Sequence, residues 1–129
     1  PWPEKPEHVK LLPKRILKLK DLKKKGKIMF GASNQSAVAK GLPVPDCEAC
    51  FEETFKQMGL KFEYLYCPHR VPPVSCYCRK PAPGMLAYFI VKYKLLPSKC
   101  VYVGDSTPDM TCAERCGFSY MTPEKYFGE

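Results

Sequence analysis

Apolar residues recur along the chain in two alternating periods. Short runs of strand character are KIMFGA at Lys27–Ala32, the aromatic-rich and alternating KFEYLY at Lys61–Tyr66, CVYV at Cys100–Val103, and a last segment from Phe118 to Met121. Between them lie helical patterns. Pro13–Lys25 places Ile16, Leu17, Leu19 and Leu22 at apolar positions, opens on a proline suited to an early helical position, and stops at Gly26. A second helix is expected from an Asp46 cap to about Met58, with Gly59 as its stop. A third, MLAYFIVKYK from Met85, has a broad apolar face and ends before Pro97; a fourth opens at Pro108 and Asp109 and runs to Cys116, closed by Gly117. The proline-rich lead-in PWPEKPEHVK has no periodicity and reads as extended chain, with Trp2 as a packing anchor and His8 in solvent. Glu124–Glu129 reads as a terminal segment, and no internal repeat is visible.

Helix alternating with strand four times over is the pattern of an α/β fold, a Rossmann-like parallel sheet with helices on both faces and right-handed crossovers. In such a sheet the C-terminal ends of the strands share one edge, where ligands bind. Three pieces are brought to that edge: Ser33 and Asn34 after the first run, Arg79 and Lys80 in the loop after the second, and Asp105 after the third. A hydroxyl, an amide, two cations and a carboxylate around one crevice suit an oxyanion together with a divalent metal.

Composition adds bounds. With 129 residues, 45% of them apolar and 12% aromatic, the chain can form a single domain over 1–129 with a real core. A net charge of +8 favours anionic partners such as phosphate esters, nucleic acid or acidic surfaces without choosing among them. The first helix carries Lys14, Arg15, Lys18, Lys20, Lys23, Lys24 and Lys25. A nucleic-acid footprint is one reading of it, but no aromatics interleave for base stacking, so a solvated basic face is favoured. No stretch approaches the roughly 20 apolar residues of a membrane span, since Lys92 and Lys94 cut the longest run, and no signal peptide is visible. The eight cysteines are unevenly spread, which suits a reducing, cytoplasmic setting better than a disulfide framework.

The densest chemistry lies in CPHRVPPVSCYCRKPAPG, residues 67–84. Cys67, His69, Cys76 and Cys78 form a C-x-H-x6-C-x-C set, one imidazole and three thiolates, which is a closed tetrahedral complement for Zn²⁺. Ligands one residue apart cannot share a helix face, so each half must be a turn or hook, stiffened by Pro68, Pro72 and Pro73. A filled coordination sphere makes the ion structural, and the loop then delivers Arg79 and Lys80. A disulfide pair beside a satisfied histidine is the weaker alternative. Cys47 and Cys50 are expected as small buried side chains on one helix face, with a redox pair as a minor alternative; Cys100, Cys112 and Cys116 are expected in the core.

Three pieces in order, SNQSAVAKG at Ser33–Gly41, CPH with CYCRKPxPGM across Cys67–Met85, and VGDSTPDM at Val103–Met110, resemble the haloacid dehalogenase superfamily of phosphohydrolases. The likeness is strongest to its zinc-containing branch of histidinol-phosphate and heptose-bisphosphate phosphatases. The resemblance implies that Ser33 hydrogen-bonds a transferring phosphoryl group with Asn34 beside it, and that Arg79 contacts substrate. It further implies that Lys80 neutralises phosphoryl charge, that Asp105 ligates Mg²⁺, and that Asp109 holds Lys80 or the metal shell.

The family's first motif, D-x-D-G-T, supplies its aspartate nucleophile and general acid on a central strand, and no D-x-D occurs in these residues. The resemblance therefore implies a domain that is N-terminally incomplete and lacks its first, central strand. An upstream segment, a second chain, or a truncated and inactive relative would each account for this. The activity implied is Mg²⁺-dependent hydrolysis of a small phosphorylated metabolite, such as a sugar phosphate or histidinol phosphate, by an aspartate outside these residues. A polynucleotide 3′-phosphatase and an inactive, zinc-stabilised phosphate-binding module are the alternatives.

Overall fold

The computed structural model describes Pro3, residues 5–69 and residues 76–129. Trp2 and the prolines at 72 and 73, read above as an anchor and as loop stiffeners, lie outside the described residues. The chain runs α1 (Pro13–Lys24), β1 (Phe30–Asn34), α2 (Val44–Met58), β2 (Glu63–Cys67), α3 (Gly84–Tyr93), β3 (Val101–Val103), α4 (Thr107–Cys116), β4 (Ser119–Met121) and α5 (Pro123–Phe127), with single 3-10 turns at Pro6–His8 and Pro97–Lys99. No helix is long and apolar enough to cross a membrane among the described residues.

Both strand pairs among the described residues are parallel. β1 pairs with β2 from Phe30 opposite Glu63 to Asn34 opposite Cys67, and β3 pairs with β4 from Val101 opposite Ser119 to Val103 opposite Met121. The two pairs are separate sheets, so the parallel layer is split between β1 and β3. Side chains leave a strand on alternate faces, which puts Gly31 and Ser33 with Tyr64 and Tyr66, and Phe30 and Ala32 with Glu63 and Leu65. α2 covers the first face, stacking Phe51 on Tyr64 at 4.4 Å and setting Phe55 edge-on to Phe62 at 5.0 Å. α3 covers the second, stacking Phe89 on Phe30 at 4.5 Å and pairing Lys92 with Glu63 at 2.9 Å. Helices thus lie on opposite faces of β1–β2. Gly31 is what lets β1 approach β2 on the α2 face, since a Cβ there would stand 3.1 Å from that of Tyr64.

Element boundaries shift where pairing or capping overrides the local pattern. β1 starts at Phe30, three residues later than Lys27, because β2 offers no partner before Glu63. Asp46 does not cap α2; the helix opens at Val44, and the carboxylate lies in the first turn, where it faces the positive end of the helix dipole. Thr122 accepts a hydrogen bond from the Lys125 amide and begins a fifth helix in what reads as a terminal segment. Ser106 caps α4 in the same way, accepting from the Asp109 amide.

Phe89, Cys67 and Cys112 are the largest fully buried side chains, and Cys47 and Cys50 are buried as well. All eight cysteines carry free thiols. Cys100 and Cys116 are only half-buried, because each sits at the end of its element rather than under a helix.

Candidate active site

β1 and β3 end beside one another in space, and the loop before α3 lies over both. Asn34, the last residue of β1, clamps that loop through its side chain: Oδ1 accepts from the Lys80 amide at 3.0 Å, and Nδ2 donates to the Lys80 carbonyl at 3.2 Å. The fixed backbone turns the Lys80 side chain inward, where it is buried. Its Nζ lies 2.6 Å from Asp109 Oδ1, donates to the Tyr102 hydroxyl at 2.8 Å, and donates to the Ala32 carbonyl at 3.1 Å. Three acceptors match the three protons of an ammonium, which is what a buried lysine requires.

Asp109 comes from the first turn of α4. Its second oxygen accepts from the Asp105 amide at 3.2 Å, tying the helix to the turn that follows β3. Burial alone would raise the Asp109 carboxyl, but the Lys80 ammonium overrides it and the carboxyl is held below its ordinary value. Burial first, and then the Asp109 charge, push the Tyr102 hydroxyl far above its usual range, so it stays protonated. Gly104 is required by this packing, since a Cβ at that position would stand 2.6 Å from Asp109 Oδ2.

Ser33 is buried and its Oγ accepts from Gln35 Nε2 at 2.9 Å. Asp105 is exposed at the mouth of the same edge. Arg79 is half-buried; its Nη1 has no hydrogen-bond partner among the described residues. The sequence-derived residues Ser33, Asn34, Lys80, Asp105 and Asp109 lie on β1, in the loop between β2 and α3, in the turn after β3 and in the first turn of α4. Tyr102 and Gln35 are additions. Tyr102 carries a detectable signal, an aromatic hydroxyl inside the apolar run CVYV, because a buried phenol needs a polar partner. Gln35 has none beyond its place in the polar run after β1.

Cys67, His69, Cys76 and Cys78 offer ligand atoms that all lie within 4.8 Å of one another. Cys67 Sγ is 3.3 Å from His69 Nδ1 and 3.6 Å from Cys76 Sγ, and His69 Nδ1 is 3.2 Å from Cys78 Sγ. A tetrahedron of Zn–S bonds of about 2.3 Å has edges of roughly 3.7 Å, so the cluster matches a four-coordinate zinc complement in both ligand type and size. Burial works against ionisation of Cys76, but the Arg79 amide at 3.3 Å and its cluster neighbours bring it down to about 7; burial and the two other thiols push Cys78 up to about 12. For a hard cation such as Mg²⁺ the described residues give less. Both Asp109 oxygens are engaged, which leaves the Asp105 carboxylate as the one free anionic ligand at this edge.

The family model described as haloacid dehalogenase-like hydrolase matches residues 4–122. Among curated proteins, the chain is 33% identical over 111 residues to D-glycero-beta-D-manno-heptose-1,7-bisphosphate 7-phosphatase of Pseudomonas putida, covering 82% of this chain and 63% of that protein. It is 27% identical over 124 residues to the histidine biosynthesis bifunctional protein HisB of Legionella pneumophila, covering 92% of this chain and 35% of the relative. The chain therefore spans less than two thirds of the length of these relatives. Among solved structures, it superposes with a TM-score of 0.84 and 28% identity on D,D-heptose 1,7-bisphosphate phosphatase from B. bronchiseptica, which was solved with magnesium and phosphate, over 92% of this chain and 69% of that one. The family match and the structural likeness agree on the fold, and the chain belongs to the haloacid dehalogenase-like hydrolases.

Proposed function

We propose that these residues form the phosphate-binding part of a Mg²⁺-dependent phosphomonoester hydrolase acting on a small phosphorylated metabolite, a sugar phosphate or histidinol phosphate. The observation that carries this reading is the buried Lys80 ammonium, held by Asp109 and bracketed by Asn34 at the strand edge beside Ser33 and Asp105. Phosphoryl transfer asks for positioned positive charge and hydrogen-bond donors around the equatorial oxygens, and this edge supplies them. Arg79 adds a second cation for the substrate. The nucleophilic carboxylate comes from an aspartate outside these 129 residues. Its oxygen attacks phosphorus as the ester oxygen leaves, taking its proton from the general-acid aspartate of the same D-x-D motif, and that aspartate then takes a proton from the water that hydrolyses the aspartyl phosphate. Asp105 would hold a Mg²⁺ ion at this edge, which would supply charge neutralisation to the phosphoryl oxygens. Zn²⁺ at Cys67, His69, Cys76 and Cys78 is structural and holds the loop that presents Lys80.

The basic helix does not favour a polynucleotide substrate. Arg15 forms a two-pronged pair with Glu129, Lys25 pairs with Asp21, and Lys18 packs over the Tyr126 ring at 4.2 Å, so part of the charge is spent within the fold. A buried lysine without its nucleophile also fits an inactive phosphate-binding module. Calorimetry with inorganic phosphate and release of phosphate from an aryl phosphate with Mg²⁺ separate these readings. Phosphate binding lost in Lys80→Met is expected in either case. Hydrolysis by a protein extended upstream of Pro1, abolished by Asp105→Asn, would exclude the module, and no phosphate binding by either form would overturn both.

A further inference from the structure

The turn that carries Lys80 is poor in donors, because Pro81 and Pro83 have no amide proton. The remaining amides from Arg79 to Gly84 are all taken. That of Arg79 donates to Cys76 Sγ at 3.3 Å and that of Lys80 to Asn34 Oδ1 at 3.0 Å. The Ala82 amide donates to the Arg79 carbonyl at 2.8 Å, and the Gly84 amide to the Tyr77 carbonyl at 2.9 Å. The Lys80 carbonyl accepts from Asn34 Nδ2. What is left is a run of successive acceptors, the carbonyls of Pro81, Ala82 and Pro83, and a turn is fixed only when such groups have partners.

α4 supplies a donor to each. Arg115 Nη1 donates to the Pro81 carbonyl at 3.1 Å, Cys112 Sγ to the Ala82 carbonyl at 3.5 Å, and Cys116 Sγ to the Pro83 carbonyl at 3.8 Å. The Pro83 carbonyl also accepts from the Ala87 amide of α3 at 2.8 Å. Positions 112, 115 and 116 are neighbours on one helix face, and Asp109 stands one turn before Cys112. A single face of α4 thus grips Lys80 at its ammonium and, through the carbonyls that follow, at its backbone. The donors are unequal. Thiols donate weakly, whereas the guanidinium is charged and presents its N–H groups in a rigid fork. Cys112 is fully buried and is accounted for by packing; Arg115 is exposed, and nothing in the core calls for a guanidinium there.

We propose that Arg115 is a positioning residue for Lys80. It holds the Pro81 carbonyl and so fixes the backbone immediately after Lys80, while Asn34 fixes the backbone of Lys80 itself; between them the ammonium is delivered to one place at the strand edge. Arg115 acts through the turn and does not touch the anion. The positioning stands on this geometry, and its effect on phosphate rests on the reading of Lys80 as a phosphate ligand given above.

The test combines residue-resolved amide hydrogen exchange with calorimetry of inorganic phosphate, on the intact chain and on Arg115→Met and Arg115→Lys. Methionine keeps an unbranched stem and a similar helix propensity but has no donor, whereas lysine keeps a cationic N–H. In Arg115→Met the Lys80 and Ala82 amides should exchange about three- to tenfold faster and phosphate should bind more weakly by a similar factor, with the Ala113 amide of α4 and the urea midpoint unchanged. Arg115→Lys should keep both properties near those of the parent chain. The proposal is overturned by unchanged exchange at Lys80 and Ala82, by a rise that Ala113 shares equally, by Arg115→Lys behaving as Arg115→Met does, or by faster exchange with undiminished phosphate affinity. If the unsubstituted chain binds no phosphate, the reading of the site fails, and the exchange comparison still decides the positioning.

Discussion

Lys80 Nζ and Asp109 Oδ1 lie 2.6 Å apart, each side chain only 9% exposed, on residues that sequence separates by a helix and a strand. The pair joins the loop before α3 to the first turn of α4, and the Asp109 end is fastened again to the Asp105 amide. Its geometry sets the first prediction. Asp109→Asn keeps the shape but leaves a buried ammonium without its counter-charge, and is expected to destabilise the chain by about 3–5 kcal/mol in urea unfolding. Replacing both partners, Lys80→Met with Asp109→Leu, is expected to cost much less than the sum of the single changes, since no orphaned charge remains.

Acid sensitivity follows from the same carboxyl. Its value in the folded chain is lowered, so its contribution to stability is fully present above the ordinary carboxyl value near 4 and is lost as pH falls through the lowered one. Urea midpoints measured from pH 7 down to about 2 should stay level to about pH 5 and then decline, and Asp109→Asn should remove part of that decline.

Zinc content is the third prediction. The purified chain should hold one Zn²⁺ by elemental analysis, and removal by a strong chelator should lower the calorimetric Tm by on the order of 10 °C. Cys78→Ser should reproduce that loss and also weaken phosphate binding, because the loop that carries Lys80 is no longer fixed. Unchanged Tm on chelation would leave the cluster without a structural metal.

A fourth prediction concerns Gly104. A methyl group at this position meets Asp109 Oδ2, Cβ and Cγ at 2.6, 2.7 and 2.8 Å, so Gly104→Ala must push the carboxylate off Lys80 or move the α4 turn. A loss of about 1–3 kcal/mol is expected by urea unfolding, with weaker phosphate binding as its companion. Gly117→Ala gives a contrasting result: the residue has φ +78°, far from the site, so stability falls by about 1 kcal/mol while phosphate affinity is unchanged.

The periods of the chain carried the element order, since each helix stripe and apolar run is long enough to state its own type. Cys67, His69, Cys76 and Cys78 were legible from spacing, because ligand geometry is local. Lys80 and Asp109 were joined only through the family resemblance, which left the metal shell as the other partner of Asp109: in the fold what brings them together is the turn of α4, fixed by a Ser106 cap whose signature, serine before T-P-D, is short and common. Tyr102 was read as one apolar residue among four. Its hydroxyl acquires meaning only when a lysine from another loop arrives beneath it. The separation of the layer into two sheets follows from pairing partners, which hydrophobic periodicity does not encode.

The Gln35 side chain settles the polarity of Ser33. A hydroxyl has one proton and two lone pairs, and Gln35 Nε2 already occupies an acceptor position of Oγ. The proton of Ser33 is thereby left to point away from the amide, toward whatever arrives at the end of β1. An incoming group that accepts hydrogen bonds can take that proton, while one lone pair of Oγ remains open. The buried amide thus leaves Ser33 with a proton to give at the end of β1, in addition to the charge of Lys80.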